Sequence, residues 1–145
     1  MNSSSPISIY IDGACDPNPG KGGWGVVLLE NGQQRTLSGG ERDTTNNRME
    51  LTAAIMGLRS ANSASPITVY CDSEYVKKGI TEWITAWKRK GWKRQGGVLA
   101  NVDLWQELDR LNSARQVTWQ WVRGHNGHPL NELADRLAVQ ARKNL

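Results

Sequence analysis

Apolar and polar positions alternate along Ile7-Ser8-Ile9-Tyr10-Ile11-Asp12, the period of a half-buried β-strand. Gly13–Gly23 holds Pro17, Pro19 and four glycines and reads as turn. Trp24–Leu29 is a second predicted strand. Asn31-Gly32 is a strong hairpin signal, so Gln33–Ser38 is expected to pair back antiparallel. Thr44-Thr45-Asn46-Asn47 offers several N-caps for a helix running to about Ala61, with Leu51, Ile55 and Leu58 on one face. Ser65-Pro66 opens a strand over Ile67–Cys71. A short helix over Ser73–Gly79 is expected to stop at Gly79, and another over Thr81–Lys90 at Gly91. Residues 92–101 form a loop, and Asp103–Leu111 is a helix. Gln116–Val122 alternates as a strand, and Pro129 suits the first turn of a helix over Leu130–Lys143.

The order β-β-β-α-β-α-α-α-β-α predicts an α/β fold. Its five-stranded mixed sheet would combine a three-strand antiparallel meander with parallel strands, and helices would cover both faces. A helix joins the first strand to the fourth, so these two should run parallel. No repeat or linker interrupts the chain. Residues 1–145 are therefore expected to form one domain, frayed over residues 1–6.

Two apolar strands end in an acid, Asp12 and Asp72. If the strands are parallel neighbours, both carboxylates project at the carboxyl edge, where open α/β sheets bind ligands. Either acid alone could simply start a turn. Glu50 follows Asn47 at capping-box spacing, so a helix cap competes with any role in a site. Asp135 lies beside the apolar face of Leu130, Leu133, Leu137 and Ala141, and could be a solvated flank residue. Carboxylates gathered on one edge repel unless cations sit between them, and all-oxygen ligands suit Mg²⁺ or Mn²⁺ rather than zinc.

The net charge of +4 over 145 residues hides an uneven distribution. Tyr75–Arg94 carries seven basic residues against the single acid Glu82, and the remainder carries 11 basic against 13 acidic. A +6 segment on a body of −2 is the footprint of a polyanion partner. That segment interleaves Trp83, Trp87 and Trp92 with Lys88, Arg89 and Lys90. Trp83 and Trp87 share a helix face, whereas Trp92 and Trp105 read as packing residues, since seven Trp and no Phe leave Trp to serve the core. No run of 18 apolar residues occurs, and the N-terminal residues lack the pattern of a signal peptide, so a cytoplasmic location is expected. Cys15 and Cys71 read as reduced thiols.

The chain resembles bacterial type 1 ribonuclease H. The matching motifs are YIDGACDPNPGKGGWG at 10–25, TTNNRMEL at 44–51, VYCDSEYV at 69–76, GITEW at 79–83, NVDLW at 101–105, WVRGHNGHP at 121–129 and NELAD at 131–135. They run in family order along nearly the whole chain. The resemblance implies a ribonuclease H-like fold. It also implies endonucleolytic hydrolysis of the RNA strand of RNA–DNA hybrids, leaving 5′-phosphate and 3′-hydroxyl ends. It implies that Asp12, Glu50, Asp72 and Asp135 hold one or two Mg²⁺ ions (Mn²⁺ being the alternative), and that His125 assists proton and product steps. His125 and His128 could instead form a zinc pair, but no Cys lies nearby. By motif match, Cys15, Asn18, Asn46, Asn47 and Glu74 belong near the RNA strand and Thr45 at a DNA phosphate. Trp83, Trp87, Lys88, Arg89 and Lys90 belong to a basic protrusion on the DNA strand.

Three departures are evident. Ala86 stands where some relatives have Asn, Glu74 where many have Gln, and residues 95–100 lack the lysines of some members. They predict weaker hybrid binding with intact chemistry. A monomer without an obligate protein partner is expected. Two competing classes stay open: a catalytically silent nucleic-acid-binding module, and a metal-dependent DNA nuclease or integrase of the same architecture. Cleavage of a labelled hybrid with Mg²⁺ and with EDTA separates the first, and a duplex-DNA substrate the second.

Overall fold

The structure is a computed structural model that describes residues 6–93, 100–123 and 128–145. The expected order of elements is present. Strands β1 (Ile7–Cys15), β2 (Gly20–Glu30) and β3 (Gln33–Thr44) are followed by helix α1 (Asn46–Ser60) and strand β4 (Ile67–Cys71). Helix α2 (Glu74–Lys78), a π-helical turn (Gly79–Trp83), helices α3 (Ile84–Arg89) and α4 (Val102–Ser113), strand β5 (Val117–Trp121) and helix α5 (Pro129–Lys143) complete the chain. The sheet order is β3-β2-β1-β4-β5, antiparallel across the meander and parallel from β1 to β4 to β5.

Alternation assigns the strand residues to two layers. Ile7, Ile9 and Ile11 join Leu51, Ile55 and Leu58 of α1, with Trp105 and Leu108 of α4, in the larger core. Tyr10 and Val27 point the other way, against Leu130, Leu133, Ala134 and Leu137 of α5. Helices therefore cover both faces of the sheet. Asn31 and Gly32 both have positive φ, +54° and +75°, as the hairpin motif requires.

Two expectations are corrected. The meander strands are longer than Trp24–Leu29 and Gln33–Ser38, and the turn predicted over Gly13–Gly23 shrinks to the residues between β1 and β2. Their glycines obscure the alternation, and at Gly23 and Gly25 a side chain is excluded because α5 lies close. Gly25 shows this: a Cβ there would meet the Leu137 Cβ at 2.8 Å. Gly79 does not stop its helix. Its φ of −61° is helical and the chain continues into the π-turn, while glycine is required there because only it fits beneath the Trp105 indole. Among the caps offered for α1, Thr45 is the one used: its Oγ1 accepts from Arg48 N at 3.1 Å, so Asn47 lies inside the helix. The 92–101 loop falls partly, and residues 1–5 wholly, outside the described residues.

Candidate active site

Asp12 sits where β1 runs between β2 and β4. The β1–β4 register pairs Ser8 with Thr68 and Tyr10 with Tyr70, and continuing it by two residues brings Asp12 level with Asp72. Neighbouring strands lie about 4.8 Å apart, so these two carboxylates must meet. Glu50 arrives from α1. With Thr45 as N-cap, Glu50 falls in the second turn, too far along to close a capping box, and its side chain is released to the sheet edge. The approach is close because residue 13 is glycine: a Cβ there would lie 2.7 Å from Glu50 N.

Asp135 comes from the opposite layer. Asp12 pairs across the sheet with Gly25, and α5 lies over Gly25, so Asp135 reaches the same edge. Asp12 and Asp135 share a hydrogen bond. All four acids line one open cleft of about 540 Å³, together with Asn46, Asn47 and Glu74. Within it, carboxylate oxygens of Asp12, Glu50 and Asp72 lie within 4.8 Å of one another.

Electrostatic strain in this group is large. Asp12 is 4% exposed and Glu50 6%. Burial, then the charge of Asp72 and the hydrogen bond with Asp135, push Asp12 up to about 8, although Gly13 N donates to its Oδ1 at 2.9 Å. Burial, followed by the charges of Asp12 and Asp72, holds Glu50 well above the usual carboxylate range. A divalent cation among these oxygens would reverse both effects. A hard, all-oxygen donor set of this spacing fits such an ion.

The residues expected around the cleft divide into several groups. Asn18 Oδ1 accepts from Asn46 N at 3.1 Å, tying the β1–β2 turn to the start of α1. The Cys15 thiol is turned toward the carbonyls of Pro17, Gly20 and Thr44, 3.3 to 3.6 Å away. Trp83 and Trp87 lie 5.6 Å apart between ring centroids, and Trp87 reaches Trp92 and the fully buried Trp105. Lys88 is paired with Asp109 of α4 at 3.3 Å, while Arg89 and Lys90 are exposed. His125 lies outside the described residues. His128 stacks beside Tyr10, with centroids 5.2 Å apart. The sequence reading missed Gly13, Ser73 and Tyr75 in the cleft wall. Only the Asp12-Gly13 dipeptide carried a signal, and it read as a turn.

An acidic cleft at the carboxyl edge of a mixed sheet, flanked by a helix start and a cationic helix, belongs to the class of acidic-site nucleases. Comparisons with known proteins narrow the class. A sequence model of the RNase H family matches residues 4–143. Ribonuclease H of Hahella chejuensis is 53% identical over 133 residues, which cover 91% of this chain and 90% of that protein. The chain belongs to the ribonuclease H family. The crystal structure of LC9-RNase H1, a type 1 RNase H with the type 2 active-site motif, superposes with a TM-score of 0.86 at 33% identity. It covers 99% of this chain and 74% of the other. The fold is also that of LC11-RNase H1, solved in complex with an RNA/DNA hybrid (TM-score 0.70, 21% identity, 95% of this chain and 97% of that one).

Proposed function

We propose that this chain hydrolyses the RNA strand of RNA–DNA hybrids by in-line attack of water, releasing 5′-phosphate and 3′-hydroxyl ends. The observation that carries the reading is the convergence of Asp12, Glu50, Asp72 and Asp135 in one cleft of a ribonuclease H-family chain. These four acids hold one or two Mg²⁺ ions, with Mn²⁺ as the substitute. Such ions, when bound, stabilise the attacking and leaving oxygens of a phosphodiester. Asp12, Glu50 and Asp72 supply the closely spaced oxygens. Asp135, half-buried, lines the same cleft from α5. His125 takes part in proton transfer and product release, for which a side chain titrating near neutrality is suited.

Hybrid selection requires a reader of 2′-hydroxyls on one strand. Asn46, Asn47 and Glu74 face the cleft and offer both donors and acceptors. Asn18 spends its Oδ1 on α1 and keeps its amide N–H groups for the RNA. Cys15, with its thiol turned to the carbonyls of Pro17, Gly20 and Thr44, contributes through its backbone. Thr45 accepts from Arg48 N and retains its own hydroxyl proton for a DNA phosphate, at a helix start that favours anions. Trp83, Trp87, Lys88, Arg89 and Lys90 grip the DNA backbone without reading its sequence. Residues 1–145 act as a single catalytic domain, monomeric and cytoplasmic, with no obligate protein partner. Among the described residues no helix is long and apolar enough to cross a membrane.

The test is cleavage of a labelled hybrid by wild type and by Asp12→Asn, with Mg²⁺ and with EDTA. Wild type cuts only with the metal, and the variant binds without cutting. A fully active variant would refute the assignment of Asp12.

A further inference from the structure

A second hollow, of about 270 Å³, adjoins the catalytic cleft on the β5 side. It shares Asp72 and Glu74 with that cleft and is completed by Lys77, Trp121, Val122 and Arg123. Its other charged lining is basic, and among the described residues neither Lys77 nor Arg123 enters an ion pair. Lys88 of the protrusion, by contrast, is already bound to Asp109. Trp121 is held in place: it stacks on Trp119 at 5.5 Å and 11°, and Trp119 Nε1 donates to Asn112. A fixed indole beside two unpaired cations suits a sugar packed on its face with an anion at its edge.

We infer that this hollow is a subsite for an RNA-strand phosphate flanking the scissile one, held by Lys77 and Arg123 with Trp121 as its wall. The inference rests on the hybrid-cleavage reading and extends it to residues which that reading leaves without a role. The physical need is plain. An RNA strand entering between Asp72 and Glu74 meets like charge even when cations neutralise the deepest acids. Two cations lining the same hollow offset that repulsion one linkage away, without contacting the reacting atoms. Lys77 and Arg123 are thus substrate-positioning residues. Their contribution belongs to binding rather than to the chemical step.

The experiment measures steady-state hybrid cleavage across a salt series. Lys77→Ala and Arg123→Ala are each expected to raise KM about tenfold with kcat within twofold, and to lower the slope of log KM against log salt by about one. Arg123→Lys restores most of the loss, because a cation remains. Lys143→Ala, an exposed cation at the end of α5, changes neither KM nor slope. A hybrid carrying one uncharged methylphosphonate beside the scissile linkage raises KM for the wild type but adds nothing to the Lys77→Ala/Arg123→Ala variant. A methylphosphonate penalty that persists in that variant, or an unaltered KM in both single variants, overturns the subsite while wild-type cleavage stands. Failure of the wild type to cleave hybrids overturns the hybrid reading itself, and the subsite with it.

Discussion

Stripped of metal, the protein should lose stability as pH rises from 5 to 8, and Asp12 should contribute a large share of the loss. Its carboxyl is raised from 3.8 to about 8 by burial and by Asp72 and Asp135. In the unfolded chain the group is ionised above about pH 4. Between these values the folded state holds a proton that the unfolded state has released. Stability therefore falls with rising pH through this window, and the fall is complete only above the folded value. From pH 5 to pH 8 the linkage amounts to on the order of 3 kcal/mol, or roughly 10 °C in Tm for a chain of this size. Glu50 is raised as well and adds in the same direction. Glu30 and Glu107 are lowered, so their contribution is already complete at pH 5 and does not enter the window.

Thermal unfolding followed by circular dichroism, in EDTA and in excess Mg²⁺, measures the effect. In EDTA, Tm falls across the window. In Mg²⁺ the fall is largely removed, since a cation stabilises the ionised carboxylates. Asp12→Asn, nearly isosteric and without the charge, flattens the EDTA curve and relieves Glu50 too. An EDTA curve equally steep in Asp12→Asn would refute the reasoning, because the slope would then arise elsewhere.

Three further outcomes are expected. Glu30→Gln should cost about 2–3 kcal/mol in denaturant unfolding with kcat unchanged, because buried Glu30 accepts from Arg35 at 2.8 Å, Asn62 N at 3.0 Å and Ser63 N at 2.7 Å. Tyr75→Phe should cost about 1–3 kcal/mol by the same measurement, since it removes the 3.0 Å acceptor of Nε1 in the fully buried Trp105. Asp109→Ala should release Lys88 and lower KM for hybrids about twofold at low salt, the difference vanishing at high salt; a raised KM at low salt contradicts the pairing's role.

Asp12 and Asp72 were legible from sequence because each ends an apolar run and a helical crossover makes the two strands parallel. The β1–β4 register bears out that inference. Glu50 was ambiguous, since Thr45, Asn46 and Asn47 are all competent caps. Choosing Thr45 moves Glu50 two positions along its helix and decides what it faces. The helical role of Gly79 left no trace, because the demand for glycine there comes from Trp105, more than twenty residues downstream. The full lengths of β2 and β3 were hidden for a similar reason. Gly23 and Gly25 answer to α5, which is encoded at the other end of the chain. Local periodicity reports what a segment can form, whereas these features depend on which segment arrives from elsewhere.

That dependence shapes the site. Asp12 belongs to the sheet and Asp72 directly follows β4, whereas Glu50 belongs to the layer on one face and Asp135 to the layer on the other. No single layer could hold all four acids. The cluster forms only when α1 docks against Gly13 and α5 against Gly25, two contacts that a methyl group would spoil. Packing of the two apolar cores thus opposes the mutual repulsion of the carboxylates in the metal-free state. A cation entering the cleft relieves the same repulsion from within. Helix docking and metal binding are therefore thermodynamically linked: loosening α5 weakens metal affinity even where no ligand is changed, and bound metal tightens α5 in return.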